Sequence, residues 1–414
     1  MAILPHKQHT APLAMEMDGR TRDFRLGWCL TACQGELCVE LVCRASVRQS
    51  PGHLKRVGLA ALGPPYGKIS WNHARPLSPF LGASSVSPQA TRAIQASADT
   101  DYPRAQRPTM YFIGVTTGKS SIMKVFPRWA EHLGLGDVTI QGIDCRWHDD
   151  PAVYRAVVDF IKRDELSPGA LVTTHKIDLL AACRDRFDEL DPHAQLMGEV
   201  SSISKRGGRL VGHAKDPISS GLALEAFLPQ DHWRKTGAEV FVIGAGGSSI
   251  AVTSYLMDAK HGENRPSKII VSNRSTPRLE EIRRIHEQLG RPVPTEYHHT
   301  PTPQQNDAIL GRLKPHSLAI NATGLGKDAP GSPITDAVLF PEHALAWDFN
   351  YRGELVFLDQ ARAQQQARRL TVEDGWVYFI HGWTRVIAEV FHVDIPTSGA
   401  GFEALSRIAA GARG

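Results

Sequence analysis

At 414 residues, with 42% hydrophobic and 22% charged side chains, the chain has the balance of a globular protein and enough length for two packed domains. Its formal net charge of +4 is uneven: residues 1–109 hold 13 Lys/Arg against 7 Asp/Glu, leaving 34 against 36 in the rest, so the body argues against a nucleic-acid partner. Four of the six cysteines fall within the first 43 residues and Cys145 and Cys183 stand alone, which excludes a disulfide framework or paired zinc spacing; no apolar run reaches the roughly 18 residues of a membrane span. The expectation is a cytoplasmic, reducing setting, no membrane association, and a monomer or homodimer acting on a small molecule.

Residues 1–109 are rich in Ser, Pro, Arg and Ala, with little periodicity beyond an apolar patch at Leu37–Val42, and are expected to be a disordered extension. From Met110 onward apolar strands alternate with amphipathic helices, the pattern of α/β architecture. Tyr111–Val115 is the first such strand. Ile122, Val125, Phe126, Trp129 and Leu133 then recur at helical spacing, with Pro127 a source of strain unless it occupies the first turn. Leu171–Thr173 ends a second strand, and a helix is expected around Leu179–Arg186.

A stronger signal follows. Glu239–Ile243 runs straight into Gly244-Ala245-Gly246-Gly247 and then an apolar helix through Ile250, Ala251 and Val252. A strand ending in such a turn lets the backbone approach a pyrophosphate, whose charge is met by amides at the next helix N-terminus. The next strand, Lys268–Ser272, ends at Asn273-Arg274-Ser275-Thr276-Pro277-Arg278. An NAD site more often carries an acidic residue there for the ribose hydroxyl. Arg274 and Arg278 suit a 2′-phosphate instead, so the expected cofactor is NADP(H). Leu318–Asn321, followed by Ala322-Thr323-Gly324, is a further strand and small-residue turn suited to lying beside a nicotinamide.

Taken together, Gly118-Lys119-Ser120, Val172–Lys176, Gly198–Ser202, Gly212–Asp216, Gly244–Gly247, Asn273-Arg274-Ser275, Asn321-Ala322-Thr323, Asp348–Tyr351 and Asp374-Gly375 resemble, in order and spacing, the shikimate dehydrogenase family over about residues 110–395. The resemblance implies a two-domain α/β protein. Residues 110–217, completed by C-terminal helices at 383–414, would form a small substrate-binding domain, and 218–382 a Rossmann-type NADP-binding domain. It assigns catalysis to Lys176, which would exchange a proton with the substrate oxygen, and to Asp216, which would orient it. Ser120, Thr173, Ser201 and Tyr351 would contact substrate; Gly244, Ala245, Gly246, Gly247, Asn273, Arg274, Arg278, Asn321 and Thr323 would hold the cofactor.

The substrate side departs from the family pattern. Gly118 replaces the first of two serines that grip a carboxylate, Ser201 replaces an asparagine, Ala214-Lys215 replaces Asn-Thr, and Gly382 stands where a late glutamine is usual. Each lost partner leaves a substrate group unpaired, at about 1–3 kcal/mol. Lys215, His213 and His381 are candidates to recognise a different ring substituent. The expected function is reversible hydride transfer between NADP(H) and 3-dehydroshikimate/shikimate or a related alicyclic hydroxy/keto compound; the alternative is a non-catalytic NADP-binding sensor derived from the family. A thioester-forming reductase would need a cysteine nucleophile in the cleft, and neither Cys145 nor Cys183 falls within the landmarks.

Overall fold

The computed structural model describes the backbone of residues 11–17, 20–33 and 36–46, and residues 93–327 and 329–412 in full. The chain divides into two compact units, 1–84 and 85–414. In the first, β1 (Ala11–Met17), β2 (Arg20–Cys33) and β3 (Glu36–Ser46) form an antiparallel meander with Gly27 opposite Val42. These strands fall within the extension expected over 1–109, with the Leu37–Val42 patch on β3. The rest of 1–92 lies outside the described residues.

The second unit begins earlier than Met110. Strand β4 (Ile94–Gln95) pairs parallel to β6 (Thr139–Asp144), and the Tyr102 ring stacks on Phe160 at 4.9 Å. A two-residue strand and a lone aromatic carry no periodicity, which is why the sequence does not reveal them. Next come β5 (Thr109–Gly114), α1 (Ile122–His132), β6, α2 (Pro151–Arg163), β7 (Gly169–Val172), α3 (Lys176–Cys183), β8 (Glu189–Leu190), α4 (Pro192–Met197), β9 (Ser202–Arg206) and β10 (Arg209–His213). They build a seven-stranded mixed sheet in the order β4-β6-β5-β7-β9-β10-β8, parallel through β4–β7. Every residue of β5 and β7 is buried, as central parallel strands covered on both faces require.

Pro127 lies inside α1 rather than in its first turn, but on the solvent face, where water can meet the backbone carbonyl left without a donor. The opposite face carries the fully buried Trp129, whose indole N–H donates to the Leu405 carbonyl at 2.9 Å. That bond ties α1 to the last helix. Trp129→Ala is expected to destabilise the protein by about 3–5 kcal/mol through the cavity left in the core, read as a lower urea midpoint.

The chain then crosses through α5 (Asp216–Glu225) and α6 (His232–Thr236) into the second lobe: β11 (Val240–Ile243), α7 (Gly247–Met257), β12 (Ile269–Asn273), α8 (Thr276–Gln288), β13 (Thr295–His299), α9 (Pro303–Leu310), β14 (Leu318–Asn321), β15 (Leu345–Asp348), α10 (Val356–Arg368) and β16 (Thr371–Glu373). Its six strands are all parallel, in the order β13-β12-β11-β14-β15-β16, the doubly wound Rossmann arrangement. In such a sheet ligands bind beyond the carboxyl ends of the strands, at the β11/β14 switch point.

The last two helices, α11 (Trp376–Phe391) and α12 (Gly399–Ala410), return to the first lobe. Trp376, Ile380 and Trp383 share a core with Met110, Phe112 and Phe126, and the Phe112 and Trp383 rings meet edge-on at 4.9 Å. The return therefore starts at Trp376, seven residues before the expected 383. The expected 217/218 boundary also falls inside a helix, because α5 serves both lobes. A Cβ on its buried Gly221 would sit 2.1 Å from the Tyr255 ring of α7, so the two helices approach to backbone-against-ring contact only because that residue is glycine.

Candidate active site

The β7–α3 turn builds one wall. Thr173 follows β7, its amide bonded to the Ile113 carbonyl, and α3 starts at Lys176, three residues earlier than the expected 179. A lysine at a helix's first residue faces the positive end of the macrodipole. Its compensation comes from across the cleft: the Lys176 ammonium donates to Asp216 Oδ2 and forms an ion pair with it. Asp216 is itself the first residue of α5, where a carboxylate is favoured. Burial alone would depress the Lys176 pKa, but the carboxylates of Asp216 and Glu199 outweigh it and hold the ammonium above its ordinary value. The two side chains remain 21% and 15% exposed, so the pair is sheltered yet open on one edge.

Ser201, expected to contact substrate, lies just before β9. It is buried, its hydroxyl accepts from the Lys215 amide at 2.8 Å, and its own amide bonds the His213 carbonyl. It fixes the backbone that delivers Asp216 rather than facing an open site. Lys215 is likewise engaged, donating to Glu389 Oε2 at 2.8 Å. His213 lies 2.9 Å from the Ser204 hydroxyl and near both Asp191 and Glu389. His381 is buried and stacked on Phe402 at 4.2 Å, and burial pushes its pKa down to about 4. Lys215 and His213 thus share an ion-pair cluster with Glu389, and His381 packs against Phe402.

Ser120 ends the short turn Thr117–Lys119 after β5, and Tyr351 follows β15, packed on the α11 rings of Phe379 and Trp376 at 4.8 and 5.4 Å. Side chains could be added at two of the family departures: a Cβ on Gly118 or on Gly382 meets nothing within 4 Å.

The other wall is the glycine turn. Gly244 has φ +117°, and a Cβ there would meet the Ala322 carbonyl at 2.7 Å, so only glycine lets β11 turn beside the end of β14. Ala245 is buried, while a Cβ on Gly246 would meet open space at the amino end of α7, where backbone amides suit an anion. Asn273 ends β12, its amide group donating to the Ser275 carbonyl. Arg274 and Arg278 are exposed, and neither guanidinium has an ion-pair partner among the described residues. The turn, helix end and two free cations fit a dinucleotide bearing an extra phosphate.

Asn321, expected to hold the cofactor, ends β14. It is fully buried, donating to Asp348 Oδ2 at 2.9 Å and accepting from the Thr323 amide and hydroxyl at 3.0 and 2.6 Å. Burial lifts the Asp348 carboxyl to about 6, partly offset by bonds from Asn350 and Asn321. This network shapes the turns at the ends of β14 and β15. Cys145 and Cys183 are both buried with thiols pushed up to about 12, which removes them as nucleophiles near neutral pH.

Two residues here are not among the expected site residues, although Glu199 lies within the landmark Gly198–Ser202. Glu199, between α4 and β9, is buried beside Lys176, whose carbonyl accepts from the Val200 amide at 3.2 Å. Tyr378 of α11 is half-buried in the field of the Asp216 and Glu199 carboxylates, which together with desolvation raise its hydroxyl well above the ordinary value. A glutamate between a glycine cap and the run Val200–Ile203 was the one available signal.

A six-stranded parallel sheet with a glycine turn, joined to a smaller α/β lobe carrying a lysine–aspartate pair, defines the two-domain Rossmann-type class. No family model matches the chain. Among curated proteins it is 30% identical over 181 residues to a shikimate dehydrogenase (NADP(+)) of Streptococcus thermophilus, covering 43% of this chain and 59% of that one, so the match spans under two thirds of the relative. Among solved structures it superposes on a quinate dehydrogenase of Corynebacterium glutamicum in complex with NAD (TM-score 0.57, 19% identity, 74% of this chain and 99% of that one). It superposes equally on a shikimate dehydrogenase in complex with NADP+ (0.57, 21%, 74% and 96%); at these identities the likeness speaks to the fold. Over about 180 residues in sequence, and in fold, the chain is similar to shikimate dehydrogenases.

Proposed function

We propose that the chain is an NADP-dependent oxidoreductase of the shikimate dehydrogenase type, exchanging hydride between NADP(H) and a shikimate- or quinate-like alicyclic hydroxy/keto compound. The observation that carries this reading is the Lys176–Asp216 pair, sheltered but open on one edge, in a chain whose second lobe has the glycine turn. A module that only binds a dinucleotide needs no such pair. When bound, NADPH supplies the hydride.

The chain's own residues do the rest. Lys176 holds the proton at Nζ for the carbonyl oxygen as negative charge grows there, and in the reverse direction takes it back. Asp216 keeps that ammonium aimed and compensates its charge. Thr173, just after β7, and Ser120, after the turn that follows β5, would orient substrate polar groups, while Tyr351 would add a ring and hydroxyl from the other lobe.

Arg274 and Arg278 are the groups for a 2′-phosphate. Replacing both with serine is expected to weaken NADPH binding by about 10- to 100-fold per arginine while NADH binding stays nearly unchanged, measured by nicotinamide fluorescence titration. Equal losses for the two dinucleotides would contradict the phosphate role.

A further inference from the structure

Glu199 is a carboxylate that the hydride-transfer scheme leaves idle, and its surroundings are unusual. It is 2% exposed, and Oε1 has no hydrogen-bond partner among the described residues. Oε2 points at the other lobe: a Cβ built on Gly247 would lie 3.1 Å from it, so the carboxylate presses against the first residue of α7, at the glycine turn. Gly247 is a glycine for this neighbour as well as for any ligand.

The ionisable groups that face Glu199 are the Lys176 ammonium from α3, the Asp216 carboxylate from α5 and the Tyr378 hydroxyl from α11; α7 contributes Ser248 and its amino-terminal amides. With Lys176 and Asp216 both charged, an ionised Glu199 leaves this wall at net −1. The opposite side of the same cluster is where the proposed function seats an anionic dinucleotide. A buried carboxylate in that position is disfavoured by desolvation and by each negative charge brought near it.

We propose that Glu199 is the proton-linked element of the cofactor site: it takes up a proton from solvent as the dinucleotide binds, so that the wall carrying Lys176 and Asp216 becomes neutral when the site is loaded. This rests on the NADP-binding reading above. The free protein is already poised for it, since burial, opposed by Lys176 and reinforced by Asp216, lifts the Glu199 carboxyl to about 7. The sign follows directly. An added anion raises the carboxyl further, the complex holds more protons than the free protein, and affinity falls as pH rises. For a rise of one unit on binding, uptake is about half a proton at pH 7.5, and the dissociation constant grows about fivefold from pH 7 to 9.

The test is isothermal titration of the full chain with NADPH in buffers of different ionisation enthalpy, together with Kd from pH 7 to 9. The cofactor's own phosphate titrates near pH 6 and is silent in this window. Uptake of roughly half a proton in the wild type, reduced to near zero with a flat affinity profile in Glu199→Gln, is the expected result. Binding without uptake in the wild type, or uptake unchanged in Glu199→Gln, overturns the role of Glu199 and leaves the cofactor reading intact. Failure of NADPH to bind at all overturns both. The wild-type affinity profile stands on its own should Glu199→Gln not fold: a flat or rising affinity between pH 7 and 9 sinks the proposal.

Discussion

Lys176→Ala is expected to lower NADP-linked turnover by roughly 10³-fold, within the range for loss of a positioned proton donor, while the NADPH dissociation constant changes less than about threefold. The asymmetry follows from placement. Lys176 begins α3 in the first lobe, whereas the glycine turn and both free arginines belong to the second. Removing the ammonium also strands two neighbouring carboxylates, Asp216 and Glu199, in a sheltered site. Breaking such a pair from one side costs about 3–5 kcal/mol where the partner stays charged, so Lys176→Met, which keeps the stem, is the companion variant, and circular dichroism at the assay temperature checks the fold. Loss of NADPH binding in step with turnover, in a folded variant, would mean that Lys176 supports the cofactor and that the proton is handled elsewhere.

The second large effect is a gain. Gly118 and Gly382 occupy positions where the resembled family has serine and glutamine, and the structure leaves open space beside both. Neither backbone is in the left-handed region that would penalise a side chain, and Gly382 lies within α11, where glutamine also has the better helix propensity. Gly118→Ser combined with Gly382→Gln is therefore expected to fold normally and to raise kcat/KM for shikimate by about 5- to 150-fold for each contact regained, the equivalent of 1–3 kcal/mol. Steady-state kinetics on shikimate, read against the wild type's best substrate, checks it. An unchanged kcat/KM in a stable double variant would locate the specificity difference elsewhere in the cleft, with the Ser201 backbone the first place to look.

The parts of this site that could be read in the sequence are those written in contiguous residues. The strand Val240–Ile243, its glycine turn and α7 form one local unit, and the arginines after β12 follow at a fixed place in it. Lys176 and Asp216 are 40 residues apart, and their meeting was inferred from resemblance; the ion pair gives it a geometry. What could not be read are roles decided by distant neighbours. Ser201 and Asn321 are polar residues at the ends of buried segments, and only tertiary structure tells that their hydrogen bonds close on Lys215, Thr323 and Asp348. His213 and Lys215 read as free polar groups until Glu389, some 174 residues onward, arrives from α11. Glu199 is the inverse case, a charge in a buried loop whose meaning depends on two helices from other parts of the chain.

The most direct test of the central claim is hydride transfer by the full chain, followed as the absorbance of reduced nicotinamide with NADP+ or NADPH and a panel of shikimate, quinate, and cyclic polyols and ketones. NADP-linked turnover of at least one alicyclic member, abolished in Lys176→Ala, is the result expected. Tight NADPH binding with no turnover of any member, in either direction, would contradict the enzymatic reading and favour a protein that senses the dinucleotide without using it.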